Sequence, residues 1–183
     1  HGIVLPDADL DQTVADLIGA AYGSAGERCM ALPVVVPVGK ETAEALREKL
    51  IVAIKGLRIG NSTDEQAHYG PVINAAHRSK IESYIQIGVE EGAELVLDGR
   101  GFSLAGSEDG YFLGPSLFDH VTEGMQTYRE EIFGPVLQIV RADSFEQALE
   151  LASKHQYGNG VAIFTRNGDA AREFADRVEV GMV

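Results

Sequence analysis

The stretch that decides the fold is GIVLPDADLDQTVADLIGAAYGSAGERCMALPVVVPV, residues 2–38. Its first apolar run, Gly2–Leu5, is short enough for a buried strand, and the acids in Asp7–Asp11 supply caps for a helix that reaches about Tyr22. The run at 31–38 is continuously apolar, as buried strands are, although two prolines confine its regular part to the middle. The stretch therefore predicts a strand, a helix and a second strand.

The rest of the chain continues this alternation. Apolar residues at helical spacing predict helices at 43–54, 81–89, 145–152 and 169–177. Short apolar runs predict strands at 94–97, 135–140, 161–164 and 178–183, and residues 110–121 predict extended structure broken at a Gly-Pro turn. Asp143 and Glu146 suggest a capping box before one of the helices. This order of segments predicts an α/β fold: a three-layer, mostly parallel twisted sheet with helices on both faces.

Composition narrows the function classes. The chain has 183 residues, which suits one domain, and a net charge of −13 with scattered basic residues argues against a nucleic-acid partner. No run of 18 or more apolar residues and no signal peptide is visible, so we expect no membrane association. The single cysteine cannot form an internal disulfide, which makes a cytoplasmic setting the default. Because the chain starts at His1 and stops inside its last apparent strand, we expect 1–183 to be a domain truncated at both ends.

The only cysteine lies in GSAGERCM, residues 23–30. One interpretation is a buried structural thiol. The other is a reactive thiol, because the small residues before Cys29 allow a loop that approaches a ligand closely, and the Arg28 cation favours thiolate over thiol. A charged Glu-Arg pair is also a poor start for a core segment. On the residues alone the two interpretations stay equally open.

The second unusual stretch is REEIFGPV, residues 129–136. It can be a plain loop that enters a strand. However, a carboxylate such as that of Glu131 can accept hydrogen bonds from two ribose hydroxyls, and a ring such as that of Phe133 can cover an adjacent flat group. Both interpretations are compatible with these residues.

Other motifs fail on their spacing. YGSAG has Tyr22 where a serine-hydrolase elbow needs glycine. DADLD resembles the start of a calcium loop, but Gln12 and Ile18 occupy positions that need glycine and glutamate. The five histidines are too far apart in sequence for a local metal pair, so we predict no metal site. GNG, residues 158–160, is interpreted as a helix-to-strand turn.

Taken together, GSAGERC and EEIFGPV resemble the aldehyde dehydrogenase superfamily. The segments PDADLD, YGPVIN and GYFLGPSLF stand in the family's order, so the resemblance covers essentially the whole chain. The segment AAYGSAGERCMA, with Arg28 directly before the cysteine, is similar in sequence to the coenzyme A-acylating branch of the family, which oxidises methylmalonate semialdehyde. The resemblance implies the nucleophile-bearing catalytic domain of that family, with the NAD-binding domain and a C-terminal oligomerisation segment absent from 1–183.

The resemblance also implies a role for each site residue. Cys29 would attack the aldehyde, with its own backbone N–H as an oxyanion donor, and hydride would pass to NAD to leave a thioester. Glu131 would hold the nicotinamide ribose, and Phe133 would line the same part of the cofactor site. Arg28 would face the carboxylate of a semialdehyde. Coenzyme A would take the acyl group, with loss of carbon dioxide, and the whole protein would form a homodimer or homotetramer.

Three alternatives remain open from the sequence. A hydrolytic aldehyde dehydrogenase would release a free acid, and the position of its general-base glutamate would lie before His1. A non-catalytic domain derived from this fold would not need an intact Cys29. A cysteine-dependent acyl hydrolase would need a nearby histidine base, and the sequence offers no obvious candidate.

Overall fold

Most of the predicted strands and helices are present in the computed structural model, which describes residues 1–183. The strands are β1 (Gly2–Val4), β2 (Val34–Pro37), β3 (Glu94–Leu97), β4 (Ser116–Asp119), β5 (Val136–Ile139) and β6 (Ala162–Phe164). The helices are α1 (Leu10–Tyr22), α2 (Lys40–Lys55), α3 (Ala75–Glu90), α4 (Gln126–Arg129), α5 (Phe145–Lys154) and α6 (Gly168–Arg177). None of these helices combines the length and the apolar character that a bilayer crossing needs.

The six strands form one sheet in the order β3-β4-β5-β2-β1-β6, and only the β3–β4 pair is antiparallel. The connection from β1 to β2 runs toward the β3 edge, whereas the connection from β5 to β6 runs toward the opposite edge. Because such crossovers are right-handed, α1 and α5 lie on opposite faces of the sheet. The predicted three-layer, mostly parallel α/β fold is confirmed.

Burial explains why the strand sequences are so apolar. All residues of β2, β4 and β5 are buried, as expected for central strands covered by helices on both sides. The core is a cluster of 37 buried residues that also includes the apolar stripe of α2. Tyr22 is buried at the end of α1, and its hydroxyl donates to the Ser116 carbonyl at 2.8 Å. This bond fixes the end of α1 to β4.

Two local predictions are wrong. The capping box is shifted by one residue, because Ser144, not Asp143, has the extended backbone of an N-cap and its hydroxyl accepts from the Gln147 N–H at 3.2 Å. Residues 178–183 form no strand. They are held instead against the turn before β6, through Gly181 N to Gly158 O at 2.7 Å and Val161 N to Met182 O at 2.9 Å. The backbone of this segment therefore forms hydrogen bonds with a turn and not with the edge of the sheet.

Candidate active site

The predicted nucleophile lies just beyond a tight turn that follows α1. Ser24, Ala25 and Gly26 have positive φ angles of 55°, 56° and 70°. Side chains on L-residues disfavour this left-handed region, so surrounding contacts must hold Ser24 and Ala25 there. The turn ends α1 abruptly and leads the chain into Cys29.

Cys29 is exposed, which contradicts the buried-thiol interpretation. Its carbonyl oxygen accepts a hydrogen bond from Asn159 Nδ2 at 2.8 Å. Its backbone N–H donates to no acceptor within the chain. A nucleophile with an unpaired N–H beside it offers a ready donor for an oxyanion that forms on a bound carbonyl.

Arg28 is exposed and turns back over its own loop. Its Nε donates to Ser24 Oγ at 3.1 Å, and a β-carbon at Gly23 would lie only 2.8 Å from the Arg28 guanidinium. Gly23 therefore makes room for this side chain. Arg28 forms no ion pair and lines the same cavity as Cys29, so its charge is available to an anionic ligand.

The two adjacent acids of the second stretch have different surroundings. Glu130 is half-buried and accepts a short hydrogen bond from Tyr84, and this bond raises the pKa of Tyr84 to about 12 and lowers the pKa of Glu130. The carboxylate of Glu131, by contrast, is exposed and makes no hydrogen bond within the chain. Phe133 is half-buried with a positive φ of 58°. Of the two acids, Glu131 is the one free to bind a ligand.

The two loops meet backbone to backbone beside the cavity. A β-carbon at Gly26 would lie 2.1 Å from the Gly134 carbonyl oxygen, so only glycine allows this approach. The cavity has a volume of about 340 Å³ and is lined by all four predicted site residues, Cys29, Arg28, Glu131 and Phe133. Most of its other lining residues lie in the segments that lead into β1, β2, β5 and β6, and Val34 and Gln138 line it from within β2 and β5. The candidate site therefore lies at the amino ends of the parallel strands.

Sequence reasoning missed two residues of this cavity. Asn159 belongs to the GNG turn, which does connect α5 to β6 as predicted but also holds the carbonyl of Cys29. Gln138 is only 2% exposed, lines the cavity from β5, and its Oε1 has no hydrogen-bond partner. The one sequence signal for Asn159 was its place between two glycines in a predicted turn. The signal for Gln138 was a polar residue within the apolar run PVLQIV.

The histidines of the cavity do not pair with the thiol. His1 Nε2 is 2.9 Å from the Tyr128 hydroxyl, and His155 Nε2 is 2.9 Å from the Tyr128 carbonyl oxygen. His77, which does not line the cavity, has its Nε2 2.7 Å from the Phe133 carbonyl oxygen. The Cys–His pair that a cysteine-dependent acyl hydrolase needs is thus not formed.

One cluster elsewhere has the composition of a metal site. Glu94, Asp119 and His120 can bring ligand atoms within 4.8 Å of one another. The fully buried Asp119 carboxylate accepts hydrogen bonds from the Arg141 guanidinium at 2.6 and 3.0 Å. Arg47 Nε lies 3.0 Å from the same carboxylate at ion-pair distance but forms no hydrogen bond with it. Burial is the largest single effect and raises the pKa of Asp119, but the hydrogen bonds from Arg141 and from the His120 backbone N–H, together with the charges of both side chains, outweigh it, so the pKa is lowered. Two cations already neutralise this carboxylate, and the cluster is a structural ion-pair network.

The fold and the site together define a class of protein: an α/β domain that presents one exposed thiol from a glycine-rich turn to a cavity shared with an unpaired carboxylate. The chain belongs to the aldehyde dehydrogenase family, whose family model matches residues 1–183.

Individual relatives are similar over the whole chain. Malonate-semialdehyde dehydrogenase of Pseudomonas aeruginosa is 56% identical over 183 residues, which are 100% of this chain and 37% of that protein. A Sinorhizobium meliloti protein described as a methylmalonate-semialdehyde dehydrogenase, solved in complex with NAD, is 57% identical with a TM-score of 0.97. Methylmalonate-semialdehyde dehydrogenase of Oceanimonas doudoroffii is 49% identical with a TM-score of 0.96. Each structural match covers 100% of this chain and 38% of the solved one. The chain thus spans well under half the length of the relatives it matches.

Proposed function

We propose that this chain carries the nucleophile of an NAD-dependent dehydrogenase that oxidises a carboxylate-bearing semialdehyde, such as malonate or methylmalonate semialdehyde, and passes the acyl group to coenzyme A. The observation that carries the proposal is the exposed Cys29 in a cavity shared with Arg28 and Glu131. Support also comes from the names of relatives at 56% and 57% identity. The 183 residues would form the nucleophile-bearing catalytic domain.

The first step uses the thiol and its own backbone. The Cys29 thiolate attacks the aldehyde carbon, a C–S bond forms, and the carbonyl π electrons move to oxygen. The unpaired N–H of Cys29 donates to this oxyanion. Asn159 holds the Cys29 carbonyl, which keeps the adjacent peptide groups of the loop in place while charge develops.

The residues around Glu131 fit the cofactor that the family uses. The free Glu131 carboxylate can accept hydrogen bonds from two ribose hydroxyls, and the half-buried Phe133 ring can cover a flat heterocycle beside it. NAD, when bound, supplies the acceptor for the hydride that leaves the former aldehyde carbon. Cys29 then holds the acyl group as a thioester.

Arg28 and coenzyme A account for the second half of the reaction. The unpaired Arg28 guanidinium would bind the carboxylate that distinguishes a semialdehyde from a plain aldehyde. The thiol of coenzyme A would displace Cys29 from the thioester. The C–C bond to the substrate carboxylate would break to release carbon dioxide, and the enolate left behind would take up one proton, equivalent to the one that the coenzyme A thiol loses. For malonate semialdehyde the sum is semialdehyde, NAD⁺ and coenzyme A giving acetyl-coenzyme A, carbon dioxide and NADH.

The test uses an assembled enzyme, in which this chain replaces the 183 matching residues of the Pseudomonas aeruginosa relative. We expect NADH and acetyl-coenzyme A in equal amounts from malonate semialdehyde, and none of either from the Cys29→Ala variant. NADH formation that needs no coenzyme A and yields a free acid would replace acyl transfer by hydrolysis. No NADH at all would refute the dehydrogenase assignment.

We also propose a homo-oligomer in the cytoplasm as the working form. Support comes from the lone cysteine, since a fold without disulfides suits a reducing compartment. The proposed homo-oligomer is supported by the resemblance to the family. Sedimentation of the assembled enzyme tests it, and a monomer at micromolar concentration would contradict it.

A further inference from the structure

His77 stands between the two loops that form the candidate site. Its Nε2 is 2.7 Å from the Phe133 carbonyl oxygen and 3.2 Å from Glu27 Oε1. Both neighbours are acceptors, so the Nε2 nitrogen must carry a proton, which it donates to the Phe133 carbonyl oxygen, while Glu27 Oε1 lies at ion-pair distance from the same nitrogen. The side chains of His77 and Glu27 are only 17% and 15% exposed. The imidazole is therefore a partly buried bridge between the Cys29 loop and the Glu131–Phe133 loop.

The position of His77 itself is fixed by the fold. It lies in the first turn of α3, where the side chain of the N-cap Asn74 accepts from the His77 backbone N–H at 2.8 Å. Glu27 is held from a second side, because its Oε1 also accepts from the Ile73 N–H at 3.2 Å. The start of α3 thus provides a rigid platform from which both loops are held.

Both bridged loops have backbone conformations that need such support. Ser24 and Ala25 lie at φ 55° and 56° just before Glu27, and Phe133 lies at φ 58°. Conformations of this kind persist in non-glycine residues only where surrounding contacts hold them, and they concentrate at functional sites. The imidazole supplies one such contact to each loop at once, beside the Gly26–Gly134 approach.

We propose that His77 is a positioning residue, which fixes the separation between the thiol loop and the Glu131–Phe133 loop. It acts through Glu27 and Phe133 and takes no part in the chemistry itself. The inference rests on the proposed function, in which Cys29 and the Glu131–Phe133 loop must cooperate in one hydride transfer. Without the bridge, Cys29 stays on one loop and Glu131 and Phe133 stay on the other, but the two loops are no longer aligned with each other.

The first test needs no cofactor and uses the chain as it is. His77→Phe keeps a ring against Phe133 and removes the donor, His77→Gln restores a donor, and His68→Ala alters an exposed histidine outside the site. The reporters are the backbone N–H groups of Glu27 and Val136, which donate to carbonyls within the two loops. Loss of one hydrogen bond predicts about 2- to 13-fold faster hydrogen exchange at both reporters in His77→Phe, with wild-type rates in the other two variants.

Two results of that test would overturn the proposal. Unchanged exchange in His77→Phe would show that the bridge holds neither loop. Equal acceleration in the loops and in β2 would show a general loss of stability instead of a local link. If His77→Phe does not fold, Glu27→Ala removes the other end of the bridge. Hydrogen exchange at the thiol-loop reporter must then be faster than in the wild type, while His68→Ala keeps the wild-type exchange rate.

The second test separates this proposal from the proposed function. In the assembled enzyme, we expect His77→Phe to slow single-turnover hydride transfer about 10- to 100-fold. NAD affinity and the rate of Cys29 labelling by iodoacetamide should stay within about 2-fold of wild type, and His77→Gln should recover most of the hydride-transfer rate. A loss confined to NAD affinity would make His77 a direct cofactor ligand and overturn the positioning role. If the wild-type assembled enzyme forms no NADH, the proposed function fails, and the exchange experiment still decides the bridge.

Discussion

Replacing Gly26 by alanine should misalign the site by a predictable distance. The new β-carbon would lie 2.1 Å from the Gly134 carbonyl oxygen, whereas real β-carbons essentially never approach a heavy atom closer than 3.0 Å. The two backbones must therefore separate by about 0.9 Å. Neither contact partner is a flexible side chain, so the thiol loop itself has to move.

The size of the effect follows from that displacement. A misplacement of about 1 Å costs on the order of 10²-fold in rate when two groups must be aligned. Overpacking adds about 1–3 kcal/mol of destabilisation to the roughly 1–2 kcal/mol that any alanine loses at positive φ. Gly106→Ala is the matched control, because Gly106 has φ +78° and a β-carbon added there would meet nothing within 4 Å.

The measurements are urea unfolding of the chain and single-turnover NADH formation by the assembled enzyme. Gly26→Ala should lose clearly more stability than Gly106→Ala and about 10²-fold in hydride transfer, while the control keeps its rate. If the two variants behave alike in both assays, the Gly26–Gly134 contact does not set the geometry of the site.

Four further predictions concern single side chains. Arg28→Ala should lower kcat/KM for malonate semialdehyde by roughly 10- to 150-fold and leave propanal almost unaffected; an equal loss on both would remove Arg28 from carboxylate recognition. Glu131→Gln should slow single-turnover NADH formation while Cys29 labelling by iodoacetamide stays normal, and the reverse pattern would refute cofactor binding. Asn159→Asp should be slower than Asn159→Ala, because a carboxylate would face the Cys29 carbonyl oxygen without a proton to donate; equal rates would show that Asn159 does not hold the nucleophile. Asp119→Asn should cost about 3 kcal/mol at pH 7 in urea unfolding. Since the pKa of Asp119 is lowered in the fold, its contribution is complete above the ordinary aspartate pKa and is lost as pH falls below it, so the wild-type advantage over Asp119→Asn should vanish in acid.

The sequence predicted the fold and the parts of the site that are continuous in the chain. Apolar runs and helix caps were enough for the order of elements, and the turn before Cys29 followed from its small residues. The contacts that join distant segments could not be predicted. Asn159 reaches Cys29 across 130 positions, and His77 reaches Phe133 across 56, so no local spacing encodes either contact.

The error at 178–183 has a physical cause. Alternating apolar residues such as Val178 and Val180 have strand character, but a segment becomes a strand only where its backbone pairs with the edge of a sheet. Here the backbone of the segment forms its hydrogen bonds with the peptide groups of Gly158 and Val161 instead. Val178 does have the extended backbone that its local preference predicts, but the chain bends at Val180–Gly181.

The location of the cavity at the amino ends of the strands has an electrostatic consequence. In an α/β layer the helices run opposite to the strands, so α1 and α5 both direct their carboxyl ends, at Tyr22 and Lys154, toward this edge. A helix carries about half a negative charge at that end, which repels the two anions that the proposed reaction brings together here, the Cys29 thiolate and the substrate carboxylate. The exposed Arg28 opposes that repulsion from the surface, where its field is screened within about 8 Å at physiological ionic strength. Capture of the substrate should therefore weaken steadily as salt is added.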